Sequence, residues 1–161
     1  MDLLRRANYL LHLYKVLPKK RLGQNFAVDT ALLQRMISYA SINREDVVLE
    51  VGAGLGFLTA PLSYACKRVI AIEIDPGLIR ILRDQLAGLG NVELIEGDVL
   101  SAPVPPFNKV VSTPPYSISS PLLFWILKRR FDCAVLTFQK EFAERLAAPV
   151  GSKDYGRLTV N

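Results

Sequence analysis

The stretch VVLEVGAGLGFLT, residues Val47–Thr59, decides the fold. Four apolar positions and one glutamate run straight into Gly52, Gly54 and Gly56, and a helical pattern follows. That order predicts a strand, a glycine loop and a helix. Glycines let the backbone turn sharply and approach a ligand with no Cβ in the way. The start of the following helix presents unpaired N–H groups beside the loop. A tight strand-to-helix turn with no ligand would use the same residues.

The details of the loop discriminate between ligands. A dinucleotide fingerprint, G-x-G-x-x-G, would place its third glycine at position 57. Position 57 is Phe, and the third glycine is Gly56. Glu50 lies just ahead of the loop, where a carboxylate would repel a pyrophosphate but could hold a cation or an ammonium group. The pattern E-x-G-x-G-x-G therefore points away from NAD and toward S-adenosylmethionine (SAM), whose amino acid end carries an ammonium.

Outward from this loop, short apolar segments alternate with helical patterns. Upstream, residues 3–14 read as a helix ended before Pro18, and Asp29 as the N-cap of a helix through Ala40. Between them KKRLGQNFAVD, residues 19–29, is basic and then offers two amides, Gln24 and Asn25, and the Phe26 ring. An ordinary capping loop would look the same. Downstream, a helix is expected over 57–66 and a second strand over 68–72, ending at Glu73. An acidic group there suits the ribose hydroxyls of an adenosyl ligand. Asp75 and Pro76 are the N-cap and first residue of a helix to about Leu86. A third strand covers 92–95, and Asp98 beyond it could accept from an adenine amino group. A fourth strand covers 109–112. Ser120–Pro121 open a helix to about Lys128, a fifth strand covers 134–138 and a last helix 139–148. Strand and helix alternating in this way predict an α/β, doubly wound, mostly parallel sheet.

Composition narrows the class. The chain has 161 residues, half of them hydrophobic, enough for one domain with a real core. It carries 20 basic and 15 acidic residues, and the excess of +5 is concentrated in the first 21 positions. Lys19, Lys20 and Arg21 end that basic segment and suggest a polyanionic partner, RNA, although a solvated helix face would have the same composition. With a single histidine, His12, and two distant cysteines, Cys66 and Cys133, a zinc site or a Ser-His-Asp triad has little to build on, and buried free thiols are expected. No run of about 18 apolar residues is present, so no membrane span is expected. The N-terminus lacks a cleavage pattern, which reads as a cytoplasmic protein.

TPPY, residues 113–116, follows the fourth strand at the carboxyl edge, where open α/β sheets bind ligands. Its prolines stiffen the backbone and leave carbonyls free to accept, and Tyr116 presents a ring. Methyl transfer to the exocyclic amine of a base needs such parts. The amine's lone pair is delocalised, so acceptors must draw its nitrogen toward tetrahedral geometry. An aromatic ring stacked on a flipped base contributes roughly 1–3 kcal/mol.

At this point the chain resembles the adenine dimethyltransferases of small-subunit ribosomal RNA, in their archaeal form. The resemblance rests on LGQNF at 22–26, LEVGAGLGFLT at 49–59, IEID at 72–75, GDVL at 97–100, PPYSISSPLLF at 114–124, FQKEFAERL at 138–146 and YGRLTV at 155–160. It implies a Rossmann-like class I SAM-dependent methyltransferase fold. A basic segment over 1–28 would carry the cofactor-contacting QNF loop, and a catalytic domain over 29–161 would stop short after the fifth strand. It implies SAM as donor, S-adenosylhomocysteine as product, and two adjacent adenosines near the 3′ end of small-subunit rRNA, on the immature subunit, as acceptors. Gln24, Asn25, Glu50, Gly52, Gly54, Glu73, Ile74, Asp98, Val99 and the backbone at Thr113 would hold the cofactor. Thr113, Pro114 and Tyr116 would face the target base, with no metal. The family usually has Asn where this chain has Thr113. Two other functions fit the same motifs, a large-subunit rRNA methyltransferase of the antibiotic-resistance type and a SAM-binding ribosome-assembly factor with impaired catalysis.

Overall fold

Five parallel strands form one sheet in the order β3-β2-β1-β4-β5. The computed structural model describes residues 2–19, 22–24, 26–156 and 159. In chain order the elements are α1 (Leu3–Leu13), α2 (Thr30–Tyr39), β1 (Val47–Val51), α3 (Thr59–Ala65), β2 (Arg68–Glu73), α4 (Pro76–Leu86), β3 (Val92–Glu96), β4 (Lys109–Ser112), a 3-10 turn (Tyr116–Ile118), α5 (Ser119–Leu127), β5 (Cys133–Leu136) and α6 (Lys140–Leu146). The order runs outward one way from β1 through β2 to β3, and the other way through β4 to β5. A crevice therefore opens between β1 and β4 at their carboxyl ends, the usual ligand position in such sheets.

The alternation of side chains along each strand builds two core layers. Val48, Val69, Ala71 and Val111 pack with Leu33 and Met36 of α2, Leu62 of α3 and Ile79 and Leu82 of α4. Leu49, Val51, Ile70, Ile72 and Val110 pack with Leu122, Trp125 and Ile126 of α5 on the opposite face. Strands buried on both faces explain why the sequence reads as apolar runs rather than alternation. Ala7 and Leu10 of α1 and the following Val16 are buried against Leu55 of the glycine loop and Leu78 and Ile81 of α4. The leading helix is thus packed onto the sheet domain.

Local chemistry sets the boundaries. Asp29 and Asp75 cap α2 and α4, accepting from the N–H groups of Leu32 and Gly77 at 3.1 and 2.9 Å. α3 starts at Thr59 rather than at residue 57, and the glycine loop ahead of it turns at Ala53–Gly56, closed by Gly56 N–H on Ala53 C=O at 2.9 Å. α5 starts at Ser119 and not at an N-cap Ser120. The 3-10 turn feeds directly into it, and the Ser119 hydroxyl donates to Tyr116 C=O at 2.9 Å. Pro121 then falls in the first helical turn, where a missing N–H costs nothing. β5 is shorter than expected, ending at Leu136. Cys66 is buried and Cys133 is half-buried on β5, and both are free. Among the described residues no helix is long and apolar enough to cross a membrane, and no group of three or more His, Cys, Asp or Glu is placed to hold a metal ion.

Candidate active site

The crevice floor forms where β1 and β4 diverge. Their pairing runs through Val48–Lys109 and Leu49–Val110. Further along, the Ser112 hydroxyl takes over, donating to Val51 C=O at 2.6 Å and accepting from Val51 N–H at 3.2 Å. Beyond this bridge the chain leaves β1 as the glycine loop and β4 as Thr113–Tyr116. Gly52 N–H and Ala53 N–H both donate to Ile72 C=O, at 2.8 and 3.1 Å, folding the loop over the end of β2. Gly52 has φ +74°, and a Cβ on it would lie 2.8 Å from Pro115 Cδ. Only glycine permits both that conformation and that approach.

Glu73, at the end of β2, is 5 % exposed and fastens the loop. Its Oε2 accepts from Gly54 N–H, and its Oε1 accepts from the N–H groups of Ile74 and Asp75, each at 2.9 Å. Burial raises its pKa, against the pull of those three N–H groups. A carboxylate offers about four acceptor sites, so roughly one, on Oε2, is left for a ligand. Glu73, expected to accept from the ribose hydroxyls of the cofactor, also shapes the loop through these three bonds.

Glu50 is 2 % exposed. Its Oε2 and the Thr59 hydroxyl are both buried without a hydrogen-bond partner among the described residues. Burial pushes the Glu50 carboxyl up to about 8, against the pull of the Thr59 hydroxyl beside it, and the nearby Glu73 charge adds to the rise. An orphaned, buried carboxyl costs free energy unless a ligand completes it.

Three adjoining cavities share Gly52. One is lined by Phe26, Glu50, Gly54, Phe57 and Thr113. A second is lined by Gln24, Phe26, Glu73, Ile74, Thr113 and Pro115. The third, of about 190 Å³, is lined by Leu22, Glu73, Ile74, Asp98, Val99 and Pro115. The fold thus brings Gln24, Glu50, Gly52, Gly54, Glu73, Ile74, Asp98, Val99 and Thr113 to one crevice. Asp98 is exposed, with Oδ1 accepting from Leu100 N–H at 2.9 Å. Tyr116 lies across the loop, on a separate open cavity of about 620 Å³ with Phe124, Phe142 and Arg145. Pro114 is buried, and Pro115 lines the crevice in its place. Lys19 was expected on RNA, but its ammonium is held by Asp75 at 2.9 Å. Asn25, Lys20 and Arg21 lie outside the described residues. Sequence reasoning missed Ser112, Pro115, Phe142 and Arg145. Only the FQKEFAERL motif hinted at the last two.

A parallel sheet with a glycine loop after β1, a carboxylate at the end of β2 and a proline-aromatic loop after β4 defines a Rossmann-like class I SAM-dependent methyltransferase fold. Within that class, the chain belongs to the ribosomal RNA adenine dimethylase family, whose model matches residues 17–161. It is 45% identical over 161 residues to the probable ribosomal RNA small subunit methyltransferase A of Methanopyrus kandleri, covering 98% of this chain and 58% of that protein. It is 46% identical over 138 residues to the protein of the same description from Methanosarcina mazei, covering 86% and 51%. Among solved structures, a dimethyladenosine transferase from Plasmodium falciparum matches with a TM-score of 0.77 at 42% identity, covering 82% of this chain and 50% of that one. The 23S rRNA methyltransferase ErmE matches with a TM-score of 0.71 at 35% identity, covering 83% and 53%. The chain thus spans little more than half the length of these relatives.

Proposed function

We propose that this chain is the cofactor-binding and catalytic part of a cytoplasmic enzyme that transfers methyl groups from SAM to the 6-amino groups of two adjacent adenosines of small-subunit rRNA, on the immature subunit. The observation that carries the reading is the loop Thr113–Tyr116, which lines the crevice on one side through Thr113 and Pro115 and the aromatic cavity on the other through Tyr116. A donor and an acceptor base would be separated by four residues of rigid backbone.

The residues present fit SAM. The orphaned Glu50 carboxyl suits its ammonium group. The remaining site on Glu73 suits a ribose hydroxyl, and Asp98 and Val99 would edge the adenine. When bound, SAM supplies an electrophilic methyl group on a sulfonium. The protein's own work is positioning. Backbone carbonyls at Thr113 and Pro114 would accept from the amine hydrogens. Tyr116, with Phe142 beside the same cavity, would stack on the base, and Arg145 would offer a phosphate contact. No strong base is required if the proton leaves after transfer. The higher identity to small-subunit enzymes than to ErmE supports the small subunit over the large one.

The test is methylation of unmodified small subunits with labelled SAM by the whole protein that contains this chain, followed by mass-spectrometric mapping. The expected product is dimethyladenosine at two adjacent positions, with Tyr116→Ala lowering turnover while SAM binding survives. Methylation of large-subunit rRNA, or SAM binding without any transfer, would overturn the reading in favour of one of the other two functions.

A further inference from the structure

One polar cluster beside the crevice has no role in the chemistry above. Asp75 follows Glu73 by two residues and its side chain is fully buried. Its Oδ1 accepts from Gly77 N–H and from Lys19 Nζ, each at 2.9 Å, and its Oδ2 accepts from Gln24 Nε2 at 2.8 Å. Gln24 closes the ring, since its Oε1 accepts from the backbone N–H of Lys19 at 2.6 Å. Both ends of the Gln24 amide are therefore engaged within the protein, and the Lys19 charge is neutralised on the spot.

This ring holds Gln24, the last residue of a short strap, Leu22–Gln24, at the crevice. Leu22, Gly23 and Gln24 line its cavities. Where the strap meets the acceptor loop, a Cβ on Gly23 would lie 3.0 Å from Ser117 Oγ and 3.4 Å from Tyr116 N. Leu22 C=O accepts from the Ser117 hydroxyl at 3.5 Å, a long contact. Asp75 thus reaches, through the strap, from the β2 end of the site to the Tyr116 loop. Capping of α4 alone would need one oxygen and one N–H. The second oxygen, the lysine and the glutamine are surplus to that task.

We propose that Asp75 is a positioning residue, and that the Lys19–Gln24–Asp75 ring latches the strap over the bound cofactor and sets how fast the cofactor leaves. Its part in cofactor release rests on the SAM reading above. Gln24 supports the site rather than contacting the ligand through its carbonyl, and Lys19 serves the latch rather than RNA.

The test uses Lys19→Met and Gln24→Leu, which leave the α4 cap intact, alongside Asp75→Asn. Hydrogen exchange at the amides of Leu22–Gln24, without cofactor, reads the latch directly. Each variant should exchange faster there than the parent, with the amides of β1 and β2 unchanged. Dissociation of SAM, followed by competition with S-adenosylhomocysteine, should be about tenfold faster in Lys19→Met and Gln24→Leu, the loss of one charge-assisted hydrogen bond. The Lys19→Met/Asp75→Asn double variant should lose little beyond Asp75→Asn alone. Unchanged strap exchange in Lys19→Met and Gln24→Leu would overturn the latch. Faster exchange with unchanged SAM dissociation would overturn its role in cofactor release. A parent chain that does not bind SAM would instead defeat the cofactor reading, and the exchange comparison would still decide whether the ring holds the strap.

Discussion

At Glu50 the fold buries a carboxyl in the wall of the crevice and leaves one of its oxygens without a hydrogen-bond partner among the described residues. With its pKa pushed up to about 8, the group is mostly neutral at pH 7 in the free protein. An unfolded glutamate titrates near 4.3. The folded state therefore holds a proton that the unfolded state has lost. The stability this contributes is fully present below about pH 4.3 and is lost as the pH rises through about 8. Glu50→Gln should flatten that decline, read as unfolding free energy from denaturant curves between pH 5 and 8. Binding an ammonium should draw the carboxyl back to its charged form. Calorimetry of SAM binding at pH 7 in buffers of different ionisation enthalpy should then show about one proton released by the parent and none by Glu50→Gln. Release of a proton by both proteins would place the ammonium elsewhere.

Elements are tied together at the other edge of the sheet by a single lysine. Lys109 opens β4 with its side chain buried, and its ammonium donates to the C=O groups of Ala40 and Ser41 at 2.7 and 2.8 Å. It also faces Asp46 Oδ2 at 3.3 Å. α2 ends and β1 begins on that one charge. Lys109→Met would leave a buried carboxylate and two carbonyls without their partner, and should cost about 3–5 kcal/mol in a denaturant titration. A loss below about 1 kcal/mol would mean that the Asn108 amide, 2.7 Å from Asp46 Oδ1, and the Asn43 N–H, 2.8 Å from Oδ2, suffice. Local contacts of this kind divide what the sequence reveals from what it hides. The Asp29 and Asp75 caps bond within three residues, so the residue types announce them. The partner of Lys109 lies 68–69 residues away and that of Lys19 lies 56 away, and no spacing rule links them. Lys19 therefore reads in the sequence by its charge alone, as an RNA contact. Glu73 reads in the sequence as a ribose contact alone, because the Gly54 N–H it also holds lies 19 residues away and reaches it only once the loop has folded over β2. The start of α5 was misplaced because a 3-10 turn has no strong sequence signature of its own.

For the whole molecule, the motifs around the glycine loop, IEID, GDVL and TPPY were legible as a site because a parallel sheet must deliver the ends of its strands to one edge. The division of TPPY between two cavities was not, since it depends on how β4 splays from β1. The sheet also leaves a consequence for behaviour in solution. Among the described residues β5 is an outer strand, paired on one side with β4, and Cys133–Leu136 carries neither charge nor proline. Such edges recruit other strands. The 161-residue chain should show light scattering that rises with concentration, with slowed hydrogen exchange along 133–136 as it does so. A strictly monomeric species with both sides of β5 protected would show that the edge is already covered. The crevice itself is tested most directly by calorimetric titration of the chain with SAM, beside Gly52→Ala, whose added Cβ would lie 2.8 Å from Pro115 Cδ at a backbone φ of +74°. The expected result is saturable one-to-one binding to the parent, displaced by S-adenosylhomocysteine, and at least tenfold weaker binding to a Gly52→Ala protein whose circular dichroism is unchanged. No saturable binding by the parent, or equal affinity in Gly52→Ala, would contradict the placement of the cofactor between the glycine loop and the TPPY loop.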